Sequence, residues 1–106
     1  MDIIVSTTSE IPGKKVVLIL GVVKGNTVRA KNVGRDIAAG FKNLVGGEIK
    51  SYTDLLVQAR EESYNRMVNE AIELGADGVV NVRFMTSMIS QGAAEILAYG
   101  TAVKLK

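Results

Sequence analysis

The chain has 106 residues, 47% of them apolar and 23% charged, which suits one hydrophobic core and excludes both a disordered chain and a pair of domains. Its net charge is only +2, and it contains neither cysteine nor histidine. Disulfides, thiolate nucleophiles, histidine acid–base catalysis and cysteine or histidine zinc sites are therefore closed to it. The opening MDIIVSTTSE has no basic stretch ahead of an apolar one, unlike a signal peptide. The longest apolar run, Val16 to Val23, is too short to cross a membrane as a helix, so a cytoplasmic protein is expected.

In chain order, a short strand is expected over Ile3 to Ser6, followed by a polar turn from Thr7 to Lys14 that holds the single proline, Pro12. Val16 to Val23 (VVLILGVV) reads as a strand. Gly25-Asn26, between Val22-Val23 and Thr27-Val28, has the composition of a two-residue hairpin turn. Val33, Ile37, Phe41, Leu44 and Val45 recur at helical spacing, predicting a shorter helix stopped by Gly46-Gly47. Ser51 to Asp54 matches a capping box and opens a helix of about six turns that ends at Leu74, with Gly75 as its left-handed cap. Two strands close the chain, Val79 to Ile89 and Ala93 to Leu105, joined near Gln91-Gly92.

A two-residue turn at Gln91-Gly92 would set Ser90 opposite Ala93 and fix the register of this last pair. Val80, Val82, Phe84 and Thr86 would then oppose Val103, Thr101, Tyr99 and Leu97 on a large apolar face suited to lie under the long helix. The other face would pair Asn81 with Ala102, Arg83 with Gly100, Met85 with Ala98 and Ser87 with Ile96. Its small residues, with Gly100 in mid-strand, invite close approach by another group. The resulting fold class is α+β: two layers, an antiparallel sheet, one long helix and one shorter.

VVLILGVV does not alternate, as in strands covered on both faces. The long helix carries two neighbouring apolar stripes, one from Leu56 through Ala59, Met67 and Ala71 to Leu74, the other through Val57, Tyr64, Val68 and Ile72. One small two-layer domain cannot cover all of this, so self-association into a homo-oligomer is expected.

Charge is uneven along the chain. Residues 24–50 carry a net +4 and residues 51–78 a net −4. A nucleic-acid binder would keep one continuous basic face, so complementary contacts within or between subunits are the better reading. Glu62, Glu70, Glu73 and Asp77 lie near one side of the long helix and could offer a hard cation oxygen ligands, although a solvated face with Glu62 paired to Arg66 is the simpler expectation. Arg60 falls between Leu56 and Tyr64, and Arg83 falls at mid-strand. Each needs a carboxylate partner such as Glu95, Asp36 or Glu48, or else forms an anion site between subunits. Thr7, Thr8 and Glu10 make a third candidate, a turn offering hydroxyls and backbone amides, or simply a strand connection. No glycine-rich phosphate motif occurs, and no cofactor is implied.

An ordered set of short motifs runs through the chain: Thr7-Thr8, Ile11-Pro12-Gly13, Gly21-Val22-Val23-Lys24-Gly25, Asp36-Ile37 and Gly46-Gly47-Glu48 in the first half. Tyr52, Ala59-Arg60, Met67, Gly75-Ala76-Asp77, Val82-Arg83-Phe84, Thr86-Ser87, Glu95 and Ala98 to Val103 complete it. Read together, this order resembles the YbjQ-like family of small uncharacterised bacterial and archaeal proteins, sometimes named for heavy-metal binding. The resemblance spans nearly all of residues 1–106 as one domain. It implies a dodecin-like two-layer subunit assembled as a pentameric ring, and it implies no established activity. Metal binding, if any, would have to use oxygen ligands, since soft cysteine and histidine donors are missing.

Two readings of function follow. One is a non-catalytic, self-assembling binding or scaffold module with a small ligand or ion at subunit boundaries. The other is an enzyme using Arg60 or Arg83 with a carboxylate such as Glu95 or Asp36, which requires those groups to converge in a pocket.

Overall fold

The computed structural model describes residues 2–30 and 47–106. These form β1 (Ile4–Val5), β2 (Val16–Ala30), α1 (Gly47–Glu73), β3 (Gly78–Ser90) and β4 (Ala93–Leu105). The strands make one sheet in the order β1-β3-β4-β2, and α1 lies across one face of it, mainly over β2 and β4. The arrangement is α+β in two layers, as expected. The sheet is mixed, however, because β1 runs parallel to β3 while the β3–β4 and β2–β4 pairs are antiparallel. A parallel neighbour requires a long crossover, and β2 and α1 supply it here. The shorter helix expected over residues 33–45 lies outside the described residues.

β2 does not turn at Gly25-Asn26. Its ladder with β4 continues from Gly21–Ala102 to Ala30–Ala93. Gly25 has a packing role instead. A Cβ there would stand 2.5 Å from the Met67 amide nitrogen and 2.6 Å from Arg66 Cβ, and closer still to the Ser63 carbonyl oxygen. The bare glycine lets the backbone of α1 settle directly onto the strand.

α1 begins at Gly47, upstream of Ser51, so the capping-box motif falls inside the helix and does not start it. Its end agrees with expectation. Gly75 is left-handed (φ 81°), with Gly75 N–H donating to the Ile72 carbonyl at 2.9 Å and Ala76 N–H to the Ala71 carbonyl at 3.0 Å.

In the last hairpin Ser90 does face Ala93, but the register then slips twice, between Met88 and Ser90 and between Val80 and Arg83. Phe84 therefore pairs with Ala98, Arg83 with Tyr99, and Val80 with Thr101. The second irregularity contains Asn81 at φ 55°, a left-handed conformation that asparagine tolerates better than most side chains. One extra residue reverses the faces of one strand relative to the other. Phe84 and Thr86 stay on the helix side, but the β4 residues exchange: Ile96, Ala98 and Ala102 are buried with Val23 beneath α1. The small-residue face expected to point away from the helix is thus the core face. Gly100 is indeed closely approached, by β3 of its own chain, since a Cβ there would lie 2.7 Å from Val79 Cγ1 and 3.1 Å from the Val80 carbonyl oxygen.

The core is correspondingly thin. Met67 and Ala71 of α1 meet Val23, Val79, Val82, Ala98 and Ala102 of the sheet, and Ala59 of α1 is buried as well. At its polar centre the buried Ser63 hydroxyl is hydrogen-bonded to the Ile96 carbonyl at 3.0 Å and to the buried Thr27 hydroxyl at 2.8 Å, so neither group is left unsatisfied.

Candidate functional site

The sheet face turned away from α1 carries the residues that remain open. Val22, Lys24, Asn26 and Val28 of β2 project there, beside Thr101, Tyr99, Leu97 and Glu95 of β4. Ile19 and Val22 are 67% and 69% exposed, and Met85 on β3 is also exposed. Further apolar side chains stand in solvent at the far end of the last hairpin, where Met88 is 71% exposed next to Ile89. VVLILGVV is therefore covered on one side only. The second stripe of α1 likewise leaves Val57 and Ile72 exposed.

The free edge of β2 is not open in the same way. Glu70 reaches around from α1 to accept the Lys24 backbone N–H at 2.9 Å, and Arg66 donates to the Asn26 carbonyl at 2.6 Å. Side chains of the helix thus occupy the middle of the strand edge, a familiar protection against added strands.

The polar turn after β1 folds over the irregular part of β3. Ser6 N–H donates to the Val79 carbonyl, Val82 N–H to the Ser6 carbonyl, and Asn81 N–H to the Thr8 carbonyl. Arg83, which faces Tyr99 rather than Gly100, reaches this turn: its Nη1 donates to the Thr7 carbonyl at 2.8 Å and to the Val82 carbonyl at 2.9 Å. Within the turn the Thr8 hydroxyl donates to the Glu10 carbonyl at 2.7 Å and receives the Ser6 hydroxyl, whose oxygen accepts the Thr8 N–H at 3.0 Å. Thr7, Thr8, Glu10 and Arg83 are thus assembled into one local unit.

The other candidate residues do not join it. Glu95 accepts from Asn26 Nδ2 at 3.3 Å on the outer face. Arg60 is exposed on α1 and lines a shallow cleft of about 430 Å³ with Glu61, Tyr64 and Phe84. Asp36 lies outside the described residues. Among the described residues, no arginine–carboxylate constellation links Arg60 or Arg83 to Glu95. The ion pairs form elsewhere. Glu62 bridges Arg29 at 2.6 Å and Arg66 at 3.3 Å, the latter being the helical pair expected from spacing. Arg29 was not singled out by the sequence, because its partner is distant in the chain and its place beside α1 depends on β2 continuing past Gly25-Asn26.

Asp77 closes the lower end of the fold. Its Oδ2 accepts the Leu105 N–H at 3.0 Å, its Oδ1 lies 3.5 Å from Lys104 Nζ, and Lys104 also donates to the Gly75 carbonyl at 3.1 Å. The Leu105 amide does most to hold the Asp77 carboxyl below its usual range; burial opposes it, and the Lys104 ammonium adds to the lowering.

The α+β fold is shared with a crystal structure of a protein of unknown function from Pediococcus pentosaceus, which superposes with a TM-score of 0.62 over 98% of each chain at 14% identity. That likeness establishes fold alone. Sequence goes further, for residues 3–106 match the YbjQ family, described as "Putative heavy-metal-binding". The chain is 67% identical to a UPF0145 protein of Methanoculleus marisnigri over 96% of its length and 95% of that protein. It is 63% identical to one from Archaeoglobus fulgidus over 99% and 97% respectively. This chain belongs to the YbjQ (UPF0145) family.

The donor atoms do not fit the thiophilic metals that the family description suggests. The sequence has no cysteine or histidine. The thioethers of Met85 and Met88 are exposed, but the register sends them to opposite faces of β3, so they do not converge within one chain. Among the described residues no three acidic side chains gather as a cation site, because Glu62, Glu70 and Asp77 are committed to separate partners. No helix among the described residues is long and apolar enough to cross a membrane.

Proposed function

We propose that the chain is a non-catalytic building block that assembles with copies of itself, burying the outer sheet face and the far end of the β3–β4 hairpin between neighbours. The observation that carries this reading is surface. A compact 11.3-kDa chain exposes about 5,700 Å² by the usual scaling, yet this one exposes 6952 Å². Its radius of gyration is 17.4 Å, against about 13 Å for an ordinary domain of this length. The excess, about 1,200 Å², exceeds the roughly 800 Å² that one partner contributes to a standard interface. Exposed apolar side chains such as Ile19, Val22 and Met88 support the same reading, since a soluble monomer gains by covering such groups.

A second copy is the occupant best matched to this surface, and the family architecture implied by the sequence motifs supports a ring, with five subunits as the expected number. Since Glu70 and Arg66 cap the β2 edge, docking uses faces and hairpin tips and not an added strand along that edge. Any small ligand or ion would sit where subunits meet, in the cytoplasm. Sedimentation velocity with far-ultraviolet circular dichroism tests the assembly reading. Val22→Glu, which places a charge on the outer face, should yield smaller species with helix and strand content retained. A parent chain that sediments as a monomer at micromolar concentration would overturn it.

A further inference from the structure

Arg83 is held in a way that leaves half of its guanidinium in search of a partner. Both Nη1 protons are used, one on the Thr7 carbonyl and one on the Val82 carbonyl. Those bonds fix the plane of the group. Nε and Nη2 form the remaining edge, the fork whose spacing matches two oxygens of an oxyanion, and neither meets an acceptor among the described residues.

The surroundings add donors and few competitors. Thr7 and Ser9 are exposed, and their hydroxyls take no partner among the described residues, whereas Ser6 and Thr8 satisfy each other inside the turn. Asn81, left-handed at φ 55° and exposed, has its backbone amide tied to the Thr8 carbonyl. Its side-chain amide takes no hydrogen-bond partner among the described residues. The backbone amides of Ser9 and Glu10 also find no acceptor among the described residues. Nearby amides and hydroxyls in a bent segment make the kind of concavity that receives anions. The opposing group is the exposed Glu10 carboxylate in the same turn.

From this we infer that the Thr7–Glu10 turn, Asn81 and Arg83 form a binding site for a phosphate group, seated on the free Nε–Nη2 fork. The donor count selects phosphate over carboxylate. The fork satisfies two oxygens, and the Thr7 and Ser9 hydroxyls with the Asn81 amide offer more donors than a two-oxygen carboxylate uses. Glu10 weakens the site by like-charge repulsion and so keeps its affinity modest. All of these groups come from one chain, so the inference does not rest on self-assembly.

The test is a titration of the full-length chain with inorganic phosphate at constant ionic strength, followed by ¹H–¹⁵N NMR, with sodium acetate and sodium chloride as parallel arms. The expected result is a saturable shift of the Arg83 Nε–H and the Ser9, Glu10 and Asn81 amides with phosphate, a weaker response to acetate and none to chloride. Arg83→Gln should weaken phosphate binding by about tenfold or more, the worth of one charge-assisted contact. That change also removes the clamp on Thr7, so Glu10→Gln provides the decisive companion: it leaves the clamp intact and should tighten binding several-fold. Equal responses to phosphate and chloride, no saturable shift in the parent, or a Glu10→Gln variant that binds no tighter would each overturn the inference.

Discussion

Replacing Gly25 with alanine adds one methyl group to an extended strand, and on strand propensity alone this should stabilise the protein by about 0.5–1 kcal/mol. The structure reverses that sign. The new Cβ would stand 2.5 Å from the Met67 amide nitrogen and 2.6 Å from Arg66 Cβ, with the Ser63 carbonyl oxygen nearer still. Two of these three atoms belong to the helix backbone and cannot rotate aside. Relief requires α1 to lift from β2, which would also stretch the buried Ser63–Thr27 and Ser63–Ile96 hydrogen bonds. Overpacking typically costs about 1–3 kcal/mol, and a rigid backbone neighbour places Gly25→Ala at or beyond the upper end. For a domain of this size about 3 kcal/mol lowers the melting temperature by roughly 10–25 °C. Thermal melts followed by circular dichroism, with parent and variant at equal protein concentration because association raises apparent stability, provide the assay. A Gly25→Ala protein that melts with the parent or above it would refute the close helix–strand contact and, with it, the placement of α1.

Asp77 gives a pH prediction. Its folded pKa is depressed, so its contribution to stability is fully present above the unfolded value of about 3.9 and is lost as the pH falls through the lower folded value. Asp77→Asn should therefore be less stable than the parent at neutral pH, and the difference should shrink below about pH 4; denaturant melts showing a pH-independent difference would contradict this. For metals, the chelator-treated chain should show no submicromolar zinc or cadmium site by isothermal titration, given the missing cysteine and histidine. One tight site per chain would contradict this and would demand an all-oxygen site.

The elements of this fold are more legible than their mutual positions. Hydrophobic spacing and Gly75 locate the long helix and its end, and the Gln91-Gly92 turn sets Ser90 against Ala93. The two extra residues in β3 leave no mark in a hydrophobic pattern, and one of them is enough to move Ala98 and Ala102 from the outer face to the core. Gly25-Asn26 misleads for a related reason. A glycine needed for a tight turn and a glycine needed for close packing look alike in sequence, and only the helix lying over the strand tells them apart. At the candidate site, the turn chemistry of Thr7, Thr8 and Glu10 and the isolated charge of Arg83 are visible as separate features. Their meeting depends on β1 pairing in parallel with β3 and on the left-handed Asn81, neither of which local spacing encodes.

The proposed assembly covers the exposed apolar surface of this chain with other copies of itself. Native mass spectrometry of the unmodified protein at low micromolar concentration tests it most directly. One dominant multi-subunit species is expected, five copies if the ring implied by the family motifs holds, with its loss in Val22→Glu without loss of secondary structure. A parent spectrum dominated by the 11.3-kDa monomer would contradict it.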